Sequence, residues 1–191
     1  TAASRVLKEF FPNRAHFVNV VDPLVEKVAS RKFRKVGIIA TKATIGSRVY
    51  EQELKRLQPE LEIHALATPL LVPMIEEGYA HSQISQPIID NYLSDPGFKD
   101  IDALLLACTH YPLIRTEIEA YFEGKVAIFD STRVATEAIR KTLISEGLLS
   151  DRLEAPHQFY VSERGFFIRN TGVLDMRMNR DSPLTAAKVV N

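Results

Sequence analysis

The chain has 191 residues, 46% hydrophobic and 25% charged, with 24 basic side chains balancing 24 acidic ones. That length allows one large or two small α/β domains with a real core, and the even charge leaves neither a basic face for nucleic acid nor an acidic tail. A single cysteine excludes an internal disulfide, the five histidines (His16, His64, His81, His110 and His157) are too scattered for a zinc signature, and no apolar run could span a bilayer, so a cytoplasmic protein without a metal is the default expectation.

In chain order, "TAASRVLKEFF" reads as a helix with Val6, Leu7, Phe10 and Phe11 on one face. It has no initiator methionine, which leads us to expect residues upstream. Strands are then expected at 16–21, 35–40, 61–67, 101–107, 125–130 and 157–162, where β-branched and apolar residues cluster. Helices are expected over 23–30, 45–57, 69–77, 83–93, 113–122 and 132–146. Pro23, Pro69 and Pro112 stand at helix starts, where a missing N–H costs nothing, and Gly78, Gly124 and Gly147 fall near helix ends. Strand and helix alternating in this way imply βαβ units around a parallel sheet, with the apolar "ALLL" as a central strand covered on both faces. From Arg164 onward the rhythm fades, and no element is assigned.

Ligands of open parallel sheets bind beyond the carboxyl ends of the strands, and three loops leave strands there with suitable side chains. In "ATKAT" (40–44), the hydroxyls of Thr41 and Thr44 and the free N–H groups of the following helix could hold a carboxylate, or Thr44 could simply be an N-cap. In "TPLLVPMIEEG" (68–78), Glu76 and Glu77 are either a solvated helix face or include a functional carboxylate. In "CTHYP" (108–112), Cys108 ends a strand, Thr109 adds a hydroxyl, His110 could exchange a proton with the thiol, and Pro112 starts a helix whose dipole favours a thiolate. A lone cysteine is also a common buried and inert residue, so catalyst and core residue both stay open on these grounds.

"LLLACTHYPLI" resembles the second cysteine motif of glutamate racemases, Leu-Gly-Cys-Thr-His-Tyr-Pro-Leu, with Ala107 in place of the usual glycine. "VGIIATKATIGSRVY" is similar to that family's Thr-x-x-Thr-Ile segment, and "LATPLLVPMIEEG" to its Leu-Ala-Cys-Pro-Leu-Val-Pro segment, with Thr68 replacing the cysteine. "VNVVDPLVEKVAS" and "APHQFYVS" extend the likeness, in order, over about residues 1–162. The resemblance implies a cofactor-independent isomerase of the aspartate/glutamate racemase superfamily, with two α/β domains and one thiol on each face of the substrate's α-carbon. One thiolate removes the proton and the opposite thiol returns one, interconverting L- and D-glutamate and supplying D-glutamate for peptidoglycan. It further implies that Cys108 is one acid/base, that His110 assists it, that Glu76 is the functional glutamate, and that Thr41, Thr44 and Thr109 contact substrate.

The family's other cysteine lies in Ala-Cys-Asn-Thr-Ala, and the opening "TAAS" looks like the end of that motif. Thr1 would then be its substrate-contacting threonine, residues 1–21 a remnant of the first domain, 22–130 the second domain, and 131–191 the return to the first. On this expectation the 191 residues alone do not racemise. The partner is a small acidic substrate rather than nucleic acid or membrane, and a homodimer stays open. An aspartate racemase, a Cys-His hydrolase forming an acyl-enzyme, and a non-catalytic module for an acidic metabolite are the competing readings.

Overall fold

Four short apolar segments become the strands of one parallel sheet in the computed structural model, which describes residues 9–10 and 17–149 and the backbone of 160–161 and 188–189. The elements run α1 (Asp22–Ala29), β1 (Lys35–Ala40), α2 (Lys42–Ser47), α3 (Val49–Leu57), β2 (Glu62–Ala67), α4 (Leu71–Glu76), α5 (Ser85–Leu93), β3 (Ala103–Leu106), α6 (Arg115–Tyr121), β4 (Ala127–Asp130) and α7 (Ser131–Ser145). Short 3-10 turns over Pro96–Phe98 and Tyr111–Ile114 precede β3 and α6. A two-residue pair, β5 (Tyr160–Val161) with β6 (Lys188–Val189), is also parallel.

The sheet order is β2-β1-β3-β4. From β1 the chain steps outward to β2, then crosses back to lay β3 on the other side of β1. The order therefore reverses between β1 and β3, and at such a switch point the loops diverge to either face and leave a crevice at the carboxyl edge. Both strands are interior, which accounts for their composition. All four residues of β3 are buried, as expected for a strand covered by helices above and below.

Side chains alternate along the strands and feed two separate cores. Val36, Ile38, Ala103 and Leu105 pack with Leu24, Val25 and Val28 of α1, Tyr50 and Leu54 of α3, and Val134 of α7. Ile39, Leu104 and Leu106 face the other way, with Leu71, Met74 and Ile75 of α4, Ile89 and Leu93 of α5, and Ile118 of α6. Gly37 in β1 is required by close approach, because a Cβ there would sit 2.8 Å from the Phe98 ring and 2.9 Å from Leu104. Among the described residues, no helix is long and apolar enough to cross a membrane.

Three expected elements differ. Residues 17–21 are not a strand: the Asn19 side chain accepts hydrogen bonds from the N–H groups of Val21 (2.8 Å) and Asp22 (2.7 Å), which turns the backbone into α1. The helix over 45–57 is two helices, broken at Arg48, whose φ of 54° is left-handed. The start of the helix over 113–122 is a 3-10 turn from Tyr111. Of the opening helix, residues 9–10 are helical and Phe10 is 73% exposed rather than on a buried face, while Val6, Leu7 and Phe11 lie outside the described residues.

Candidate active site

The register pairs Ile39 with Leu106, and the Ala107 N–H continues the ladder onto the Ile39 carbonyl at 3.0 Å. Thr41 and Cys108 therefore leave the sheet together, at the switch point. Thr41 caps α2 from an extended backbone, with its hydroxyl oxygen accepting from the Thr44 N–H at 3.4 Å and lying 3.2 Å from the Thr44 hydroxyl. The cap is thus Thr41, not Thr44, because the helix begins at Lys42 and puts Thr44 on its first turn. Both threonines remain half-buried.

Cys108 is half-buried one residue beyond the end of the ladder. Its Sγ lies 3.8 Å from His110 Nδ1, and His110 Nε2 lies 3.0 Å from Glu76 Oε1. Thiol, imidazole and carboxylate form one line, drawn from the turn after β3 and the last residue of α4. Burial pushes the Cys108 thiol above its ordinary value, the backbone N–H groups of His110 and Tyr111 pull the other way, and the Glu76 charge raises it again. Near neutral pH the sulfur thus keeps its proton, and the Tyr111 N–H donates to the Cys108 carbonyl at 3.2 Å, closing the turn that carries it. Such a group can give a proton or take one.

Of the other expected residues, Thr109 is exposed beside Cys108, Glu77 is exposed, and Thr1 lies outside the described residues. No group of three or more His, Cys, Asp or Glu side chains among the described residues could hold a metal.

Three residues escaped the sequence reading. Tyr50 is buried on α3, and its phenol is pushed up to about 12, by burial first and then by the charge of Cys108. Thr68 and Tyr111 are both fully buried, with hydroxyls 2.6 Å apart. A buried tyrosine needs a partner for its hydroxyl, so a signal for Tyr111 was available; nothing in the sequence named Thr68 as that partner.

The fold class is a parallel α/β domain with Cys108, His110, Glu76 and Thr41 at the carboxyl edge of its sheet. Residues 14–139 match the Asp/Glu/hydantoin racemase family, and the chain belongs to it. A glutamate racemase of Aquifex aeolicus is 38% identical over 130 residues, covering 67% of this chain and 49% of that protein. One from Neisseria meningitidis serogroup A is 36% identical over 148 residues, 76% of this chain and 54% of that protein. The chain thus spans about half the length of the curated relatives it matches. The crystal structure of the Francisella tularensis glutamate racemase in complex with D-glutamate superposes with a TM-score of 0.79 at 29% identity, over 91% of this chain and 64% of that one. The Thermus thermophilus glutamate racemase, in complex with beta-chloro-D-alanine, superposes with a TM-score of 0.65 at 36% identity, over 79% of this chain and 56% of that one.

Proposed function

We propose that this chain is the Cys108-bearing part of a glutamate racemase, and that Cys108 transfers a proton at one face of the substrate's α-carbon. The observation that carries the reading is the line from Cys108 through His110 to Glu76 at the switch point. The similarity to glutamate racemases, one of them in complex with D-glutamate, supports the substrate.

The chemistry follows from the groups present. An amino-acid α-proton is weakly acidic, so its removal needs donors fixed around the carboxylate where charge develops. The Thr41 and Thr44 hydroxyls and the first N–H groups of α2 are such donors; Thr109, and Thr1 if it reaches the site, would add hydroxyls. As Cys108 gives up its proton to the carbanion, the backbone dipoles of the turn and the neighbouring His110 ring stabilise the thiolate. In the reverse direction the thiolate takes the α-proton. His110, held by Glu76, orients the sulfur and supplies compensating charge when protonated. No cofactor is called for in this reading.

Inversion needs a second acid/base on the opposite face, since one group on one face returns the starting enantiomer. Cys108 is the only cysteine of these 191 residues, so in this reading the second thiol comes from outside them. Residues 22–130 are the domain that carries Cys108, and those flanking it belong to the domain that carries the other thiol. The product would serve as D-glutamate for peptidoglycan.

The test follows D-glutamate by circular dichroism and α-proton exchange in deuterated water by NMR. A protein that joins this chain to its second thiol should racemise, the 191 residues alone should not, and full turnover by them would overturn the two-thiol reading. Faster exchange of aspartate than of glutamate would move the assignment to an aspartate racemase. A covalent acyl-enzyme on Cys108 would move it to a hydrolase.

A further inference from the structure

Beneath the reacting groups lies a second, buried set of polar contacts that proton transfer does not use. The Tyr111 ring is fully buried among the residues that pack α4 against the sheet. Its hydroxyl is 2.6 Å from Thr68 Oγ1 and 3.3 Å from the Thr68 carbonyl. Thr68 Oγ1 lies 3.3 Å from the Ala40 carbonyl, which also accepts the Thr68 N–H at 2.9 Å.

The 2.6 Å bond carries one hydroxyl proton and the other goes to a backbone carbonyl, that of Ala40 when Tyr111 donates to Thr68 and that of Thr68 when Thr68 donates to Tyr111. The result is one connected set, Tyr111, Thr68 and Ala40, whose three members belong to the three loops of the site. Ala40 immediately precedes Thr41. Thr68 leads into α4, which ends at Glu76. Tyr111 follows His110, and its own N–H donates to the Cys108 carbonyl at 3.2 Å, closing the turn that carries both the sulfur and the imidazole.

We infer that Thr68 and Tyr111 are a pair of positioning residues, whose buried hydroxyl-to-hydroxyl bond fixes the turn after β3 so that the Cys108 sulfur stays beside His110 Nδ1. The inference rests on the reading of Cys108 as the working thiol, but its test needs no turnover. A buried bond between two rigidly packed hydroxyls costs little further ordering once the core has formed. It acts on the turn that sets the approach of Cys108 to His110, and a hydrogen-bonding contact weakens steeply when its geometry drifts.

Because the chain holds one cysteine, the pH dependence of iodoacetamide alkylation reports Cys108 alone. Tyr111→Phe removes only the hydroxyl and should move the alkylation midpoint upward by about half a pH unit, as expected when a thiolate loses the close approach of a stabilising imidazole. Thr68→Val should do the same, and Thr68→Ser, which keeps the oxygen, should retain the parent midpoint. The Tyr111→Phe/Thr68→Val double variant should shift no further than either single one, because both break the same bond. Far-UV circular dichroism checks that each variant is folded. A parental midpoint in folded Tyr111→Phe and Thr68→Val, or Thr68→Ser behaving like Thr68→Val, overturns the inference. Failure to racemise in the joined protein would sink the functional reading and leave this result untouched.

Discussion

The carboxyl ends of β3 and β4 lie side by side and carry two opposite kinds of polar cluster. After β4, Asp130 is 4% exposed and fully engaged: one carboxylate oxygen caps α7 through the Arg133 N–H at 2.6 Å, and the other meets Arg115 Nη1 at 2.8 Å. The same guanidinium donates to the Ile128 carbonyl at 3.0 Å and, through Nε, to Glu119 at 2.7 Å. After β3, the sulfur is half-buried, its imidazole neighbour stands at 3.8 Å, and the carboxylate behind that is 38% exposed. The first cluster spends its polar atoms on one another. The second is oriented but left with donor and acceptor capacity toward the crevice, as a group that must change its protonation state requires.

That contrast can be broken by moving each cluster in turn. The largest effect is expected at Cys108, where Cys108→Ser in the joined protein should lower kcat for racemisation by about a thousandfold, within the range for a lost general acid/base. Unimpaired turnover would remove Cys108 from the mechanism. Fold stability should hardly change. Asp130→Ala should do the reverse, costing about 3 kcal/mol in urea unfolding through the unpaired Arg115 and the lost cap, while leaving the Cys108 alkylation midpoint in place. A shifted midpoint there would mean that the two edges are coupled.

A smaller effect is pH-dependent. The Tyr50 phenol has a folded value of about 12 against an ordinary 10.0, so the folded protein binds its proton more tightly than the unfolded chain does. The stability it contributes is complete below pH 10 and is lost as the pH rises toward 12, amounting to about 2 kcal/mol. Denaturant midpoints measured across that window should fall for the parent and fall less steeply for Tyr50→Phe, in which the buried Tyr111 phenol, raised by burial in the same direction, still contributes. A parallel decline in both would rule Tyr50 out as its source. Smallest is Ser131→Ala at the β4 edge. The Ser131 hydroxyl is buried without a hydrogen-bond partner among the described residues, so its removal should be neutral or stabilise by about 1 kcal/mol, and a loss of stability would reveal a partner.

How far the sequence spoke differs by element. The strand at 35–40 was legible to the residue, because β-branched and apolar side chains dominate it and a helix start follows. The apolar run 101–107 announced an interior strand, and only its ladder ends were shorter. The strand expected at 16–21 failed because one Asn side chain competes locally for backbone donors, an effect that periodicity does not register. Likewise, nothing in the helical pattern over 45–57 marks Arg48 as left-handed. At the site, spacing brought Cys108 and His110 together, and resemblance supplied Glu76. The 3.0 Å contact between His110 and Glu76 was invisible, since it depends on β2 and β3 flanking the same strand.

The placement of β3 beside β1 also governs when the site can exist at all. Their junction joins Lys35 to Asp102, 67 positions apart, through a backbone N–H donated to the carboxylate at 2.9 Å. Closing so long a loop carries a larger entropic cost than the local pairings and tends to come late. Thr41 and Cys108 are neighbours only after that closure, so a partly folded chain with its helices and only the outer β1–β2 and β3–β4 pairings formed would still present an ordinary, accessible thiol. The rate at which Cys108 acquires its native reactivity during refolding is thus a clock for the central crossover of the sheet.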